Sequence, residues 1–174
     1  LLLFQQRDLK RAIGLFLEVE KYYDKYYAHL DNNIIKNAFE QNNKDAFVML
    51  FDFESVLVMS REALATSYIE NKKYDQALIW SEKVIKQATK INAPRVVHRG
   101  IFIKANSLYI LKKFSASLVE LGKITQDKDA EAEIKSWAYY FKGLNFSKQK
   151  NNKEMLRCFE AAFYLDPYNS FIRQ

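Results

Sequence analysis

The run Gly143-Leu144-Asn145-Phe146, continued by Met155, Phe159 and Ala162 and closed by Leu165-Asp166-Pro167, decides the reading of this chain. Glycine costs a helix about 1 kcal/mol relative to alanine. A glycine inside an otherwise helical pattern therefore points to two backbones that approach closely. Phe146 stands three places on, where it shares the face of Gly143. The periodicity breaks after Lys148, resumes at Lys153, and stops at Asp166-Pro167. That pattern describes two short helices packed as a pair. Upstream, Ala105-Asn106-Ser107-Leu108 leads to Phe114, Ser117, Leu121 and Ile124 in the same way. Further upstream, Ala63-Leu64-Ala65-Thr66-Ser67-Tyr68 leads to Tyr74, Ala77, Trp80, Val84 and Ile85. A partial fourth copy fits Leu3, Leu9, Ala12, Phe16 and Val19.

Almost every segment between these markers reads as helix. From Asp8, a candidate cap, apolar residues at spacings of three and four run to Tyr27, and Leu30-Asp31-Asn32-Asn33 ends the stripe. A short piece, Ile34 to Glu40, precedes a long helix from Asp45 to Glu70. The alternation Phe51-Asp52-Phe53-Glu54 leaves a strand as the alternative there, but its flanks carry no turn residues. Helices follow over Tyr74–Ile91, Arg95–Leu111, Phe114–Ile124, Ala130–Ser147 and Lys153–Leu165, and Ser170 to Gln174 begins another. Asn92-Ala93-Pro94 stops one helix and opens the next, since proline is accepted in a first turn.

The copies resemble the tetratricopeptide repeat: Gly143, Phe146, Phe159, Ala162 and Pro167 all fall at its signature positions. The resemblance implies an all-α, right-handed α-α superhelix of about three complete helical pairs, a partial N-terminal pair and an inserted short helix. It makes residues 1–174 one domain, with repeats 1–30, 45–92, 95–126 and 130–167 and an insertion at 31–44. One pair cannot bury its own apolar face, so neighbours must stack. The chain departs from the family in two ways. Its last three copies lie 40 and 38 residues apart, against about 34 in the family, and the first-to-second gap is 65. The usual turn glycine is replaced by Arg7, Lys72, Lys112 and Lys150.

Composition excludes several classes. With 49% hydrophobic residues over 174 positions, the chain can bury one core and is not a disordered tail. One cysteine, Cys158, excludes an internal disulfide and a multi-cysteine zinc site. Two histidines, His29 and His98, read as surface residues near helix ends. The four glycines are isolated, so no glycine-rich loop exists to cradle a phosphate. Asp127, Asp129, Glu131 and Glu133 suit a helix start better than a metal. The expectation is a non-enzyme without cofactor or metal. No initiator Met opens the chain and no secretory core follows, which is read as an excised domain. A cytoplasmic location is favoured, with a periplasmic or membrane-anchored one open through a missing N-terminal part.

The resemblance also implies a concave groove lined by the first helix of each pair. Its carried-over positions are Met59, Glu62, Thr66 and Ile69, then Arg99, Phe102, Asn106 and Tyr109, then Trp137, Tyr140 and Leu144. A shift of one helix face would turn some of them into core. Chaperone-binding members hold a terminal carboxylate with Lys and Asn; only Asn106 fits that set, so an apolar or mixed peptide or a partner helix is expected instead. The net charge of +6 arises almost wholly within residues 71–114. Arg7, Lys72, Lys73, Lys112, Lys113, Lys148 and Lys150 fall at or beside equivalent turns, which predicts a basic edge. It is either a set of solvated turns or a surface for an acidic protein, nucleic acid or anionic lipid. Nucleic acid is disfavoured, because few aromatics interleave with the lysines. Tyr22, Tyr23, Tyr26 and Tyr27 are too many for one narrow stripe, which leaves packing within the chain or self-association.

Overall fold

Pro94 has φ held near the helical value and no N–H to satisfy, and it opens one helix of the array. The computed structural model describes residues 9–26 and 44–169. These residues form seven helices and no strand: α1 (Leu9–Tyr26), α2 (Lys44–Glu70), α3 (Tyr74–Lys90), α4 (Pro94–Ile110), α5 (Phe114–Gln126), α6 (Ala132–Lys148) and α7 (Asn152–Leu165). Helix continues through residues 51–54, so the strand alternative is excluded. The expected cap Asp8, Arg7, the insertion 31–44 with its short helix at 34–40, and the start at 170–174 lie outside the described residues, apart from Lys44, which opens α2.

Four junctions are closed in the same way. At the first, the Lys72 N–H donates to the Ile69 carbonyl and the Lys73 N–H to the Tyr68 carbonyl, at 3.0 and 2.8 Å. Lys112 and Lys113, Lys150 and Asn151, and Asn92 and Ala93 repeat these two bonds. They satisfy the last carbonyls of the preceding helix, and the geometry needs a left-handed residue. Lys72, Asn92, Lys112 and Lys150 adopt it, at φ of 59, 53, 61 and 59°. Lysine thus fills a position that glycine would fill without strain. The start of α7 also has a side-chain cap, where Asn151 accepts from the Glu154 N–H at 3.3 Å.

Each helix packs on the next, and the first helices of successive pairs also touch, α2 against α4 and α4 against α6. The fold is an all-α helical-repeat solenoid of tetratricopeptide-like pairs. Its register is repeated in the burial: Ala65, Ala105 and Gly143 are buried on the first helices, and Val84, Ile124 and Ala162 are fully buried on the second. A Cβ on Gly143 would stand 2.4 Å from the Phe159 ring, so the glycine is required by close packing. One core joins Leu64, Ala65, Tyr68, Ala77, Trp80 and Ile103, with Ile13, Phe16 and Leu17 of α1 leaning on it. A second joins Ile101, Ala105, Leu121, Ile124, Ala130 and Ala138.

Polar groups stitch the pairs together. Ser117 Oγ donates to the Ala105 carbonyl at 2.8 Å, and Asn145 Nδ2 donates to Ser117 Oγ at 3.1 Å. Ser136 Oγ donates to the Ala162 carbonyl at 2.8 Å. On the N-terminal side, the buried carboxylate of Glu20 receives both Nε and Nη2 of Arg61, while Arg61 Nη1 reaches Gln87 at 3.2 Å. Tyr23 lies beside the same guanidinium, 5.4 Å from ring centre to carbon. Tyr22 is exposed; the Tyr26 side chain and Tyr27 lie outside the description.

Candidate functional site

Because α2, α4 and α6 touch one another, residues at equivalent positions on them form one continuous face. Met59 is 57% exposed on α2, and Glu62, Thr66 and Ile69 are half-buried. Thr66 turns its hydroxyl onto the Glu62 carbonyl at 3.0 Å, and Ile69 leans on the first core. Glu62 accepts two bonds from Arg99 of α4, at 2.6 Å from Nε and 3.0 Å from Nη2. This forked ion pair spans the seam between the first and second pairs.

The next seam is aromatic. Phe102 meets Phe141 edge-on at 5.0 Å, and Tyr109 meets Phe141 at 6.2 Å and Phe114 at 5.8 Å. Trp137 and Tyr140 are perpendicular at 6.0 Å, and Tyr140 also touches Phe141 and Phe159. Offset and edge-on ring pairs of this kind hold one another in place. Phe102 also packs on the second core, whereas Asn106 and Leu144 are half-buried on the same face. The eleven expected positions therefore divide: Ile69 and Phe102 serve the core as well, Met59 and Arg99 are exposed, and Trp137 is half-buried.

Near one end of this face, α4 and α6 enclose a pocket bounded by Arg95, Arg99, Asp129, Glu131, Glu133 and Trp137. Arg95 pairs with Glu131 across its rim. Beneath it lies His98, and here the surface reading of that residue fails. His98 is buried at 5% exposure, with Nε2 2.8 Å from Asp127 Oδ2. Packing of α4 against the loop before α6 buries the ring, a consequence of long-range contact that position in the sequence does not reveal. Asp127 is held below its ordinary carboxylate value by the Asp129 N–H, then by His98.

The turn lysines Lys72, Lys73, Lys112, Lys113, Lys148 and Lys150 are all exposed, and none has an ion-pair partner among the described residues. Some of the cations on the helix bodies are compensated, whereas others such as Lys86 and Lys153 are not. Arg61, Lys83, Lys90, Arg95, Arg99, Lys104, Lys123 and Arg157 are all paired. Cys158 is buried, and burial pushes its thiol up, away from the reactive thiolate. Among the described residues, no group of His, Cys, Asp and Glu is arranged to hold a metal, and no helix is long and apolar enough to cross a membrane.

No known family model matches the chain, and no curated protein matches it. Among solved structures it is similar to YrrB, described as a TPR protein with an unusual peptide-binding site. That similarity covers 89% of this chain and 95% of YrrB, at 12% identity and a TM-score of 0.40.

Proposed function

We propose that this chain is a non-catalytic interaction module that binds a peptide segment or helix of another protein on the face formed by α2, α4 and α6. One observation carries the reading: that face crosses all three complete pairs without interruption and presents Met59, Arg99, Asn106, Tyr109, Trp137, Tyr140 and Leu144 on a framework of packed rings. Aromatic side chains and arginine, held rigidly and partly dry, are what interface hot spots use. Binding then proceeds by preformed shape, with little ordering cost on the side of the module.

The test compares capture of partners by the wild type and by a Tyr109→Ala/Trp137→Ala variant. A partner retained by the first and lost by the second, with melting of the variant nearly unchanged, supports the face. Loss of folding in the variant, or equal capture by both, removes it.

A second reading rests on the unpaired turn lysines. As a row of uncompensated charge, they suit an acidic protein, nucleic acid or an anionic surface. Binding by this edge falls steeply with added salt. Binding that survives high salt, or that is unchanged when Lys72, Lys112 and Lys150 become Gln, rejects it.

A further inference from the structure

The last described helix, α7, exposes a face that the equivalent helices cover. Register follows from the helix starts, where Lys73, Lys113 and Asn151 precede α3, α5 and α7. Leu78, Leu118 and Leu156 are then equivalent, as are Ser81, Leu121 and Phe159, and Ile85, Thr125 and Phe163. On α3 and α5 these positions lie under the first helix of the following pair. Gly100 of α4 sits against Ile85, where an added Cβ would stand 2.9 Å from the side chain. Ala138 of α6 shares the second core with Leu121, and Lys142 of α6 donates to Thr125 Oγ1 at 3.3 Å. α7 packs on α6, and no described helix follows it. Leu156 and Phe163 are accordingly 56 and 49% exposed, whereas Leu78, Leu118, Ile85 and Thr125 are half-buried.

Leu156, Phe159 and Phe163 stand at spacings of three and four and so form one stripe. Beside it runs a second row, Arg157, Glu160 and Tyr164, all exposed. Glu160 has no ion-pair partner among the described residues. Arg157 gives only Nη1 to Glu154, at 2.9 Å, which leaves most of its donors for another carboxylate. The two rows are complementary to themselves when reversed. A second α7 running antiparallel, with the two-fold axis near Phe159, sets Leu156 toward Phe163 of the second copy. The same operation brings Arg157 beside Glu160 of the second copy, and the symmetry makes each contact twice.

We infer that a second copy of this chain docks on the α7 face, antiparallel, helix on helix. The contact is isologous, so it closes as a dimer and does not grow into a filament. It covers the stripe with a helix, as α4 covers α3 and α6 covers α5. The inference goes beyond the proposed binding face, which belongs to α2, α4 and α6. It puts two such faces in one particle and makes the module bivalent. One helix pair lies at the low end of interface size, under about 1,200 Å². The dimer is therefore weak, with a Kd of about 10–100 µM.

Sedimentation equilibrium of the chain over about 5–500 µM brackets that range. The mean mass is expected to rise from one chain toward two. Phe163→Glu sets a carboxylate in the apolar stripe and is expected to abolish the rise, while helicity and melting stay near those of the wild type. Charge variants test the orientation. Glu160→Arg alone opposes arginine to arginine across the axis, and Arg157→Glu alone opposes glutamate to glutamate. Each is expected to weaken association about 3–10-fold, the size of two exposed ion pairs turned repulsive. Mixed in equal amounts, the two variants set a basic row against an acidic one and are expected to associate at least as tightly as the wild type.

A mass that stays at one chain throughout overturns the inference and leaves the face to a helix of a different protein. Association that Phe163→Glu leaves unchanged places the dimer elsewhere and also overturns it, as does a mixture no tighter than its two components. If Phe163→Glu loses its helicity, the mixture of the two charge variants decides alone.

Discussion

At the scale of single residues, the tight places carry the information. Gly143 lets Phe159 cross α6 so closely that an added Cβ would stand 2.4 Å from its ring. Gly143→Ala gains up to about 1 kcal/mol of helix propensity but costs about 1–3 kcal/mol of overpacking, so we expect net destabilisation. In a Phe159→Leu background the same substitution is expected to become neutral or stabilising, and thermal melts of the four proteins would show that change of sign. Lys112 offers the opposite case. Its left-handed backbone at φ 61° strains a residue with a Cβ, by about 1–2 kcal/mol. Lys112→Gly relieves that strain at some cost in unfolded-chain entropy. We expect a gain of about 0.5–1 kcal/mol, seen as a melting temperature higher by roughly 1–4 °C. An unchanged or lower value would show that the turn is not strained.

At the scale of elements, a buried polar clasp helps to tie α1 to the array. Glu20 and Arg61 are both nearly buried, at 7 and 11% side-chain exposure, and the arginine also holds Gln87. Breaking a buried pair leaves the remaining charge uncompensated. Glu20→Ala is therefore expected to cost about 2–4 kcal/mol and to speed amide exchange across α1, while α6 and α7 keep their protection. Uniform acceleration along the whole chain would show instead that α1 is integral to one cooperative unit. The presence of α1 was legible in its stripe of Leu9, Ala12, Ile13 and Phe16. The clasp was not, because its partners lie 41 and 26 residues apart in sequence.

At the scale of the whole molecule, carboxylates tie successive helices together. Glu120 is buried, which raises its pKa, yet hydrogen bonds and charge from Lys123 and Lys104 outweigh burial and hold it low. Lys104 shows the converse: burial lowers it, but Glu82 and Glu120 lift it above its ordinary value. Asp127 is likewise held low. A carboxylate with a depressed folded pKa lends stability that is complete above its ordinary value, near 4, and is lost as pH falls through the folded value. Unfolding midpoints in denaturant are thus expected to fall from about pH 4.5 downward, with a shallower slope in Glu120→Gln. An identical slope in that variant would exclude Glu120 as a source.

The sequence by itself determined the helices, their pairing and the junctions between them. Those rest on interactions within a few residues: the three-and-four spacing of apolar side chains, Pro94 at a helix start, Pro167 after a helix end, and a small residue before a large one. The basic turns were legible for the same local reason. Tertiary structure alone decided which groups meet. It buried His98 against Asp127 and paired Glu62 with Arg99 across a seam. The physical reason is range. Helix formation is encoded by neighbours along the chain, whereas this burial and charge compensation depend on segments brought together from 29 residues away for His98 and Asp127 and 37 for Glu62 and Arg99, and the repeat pattern sets only their approximate register.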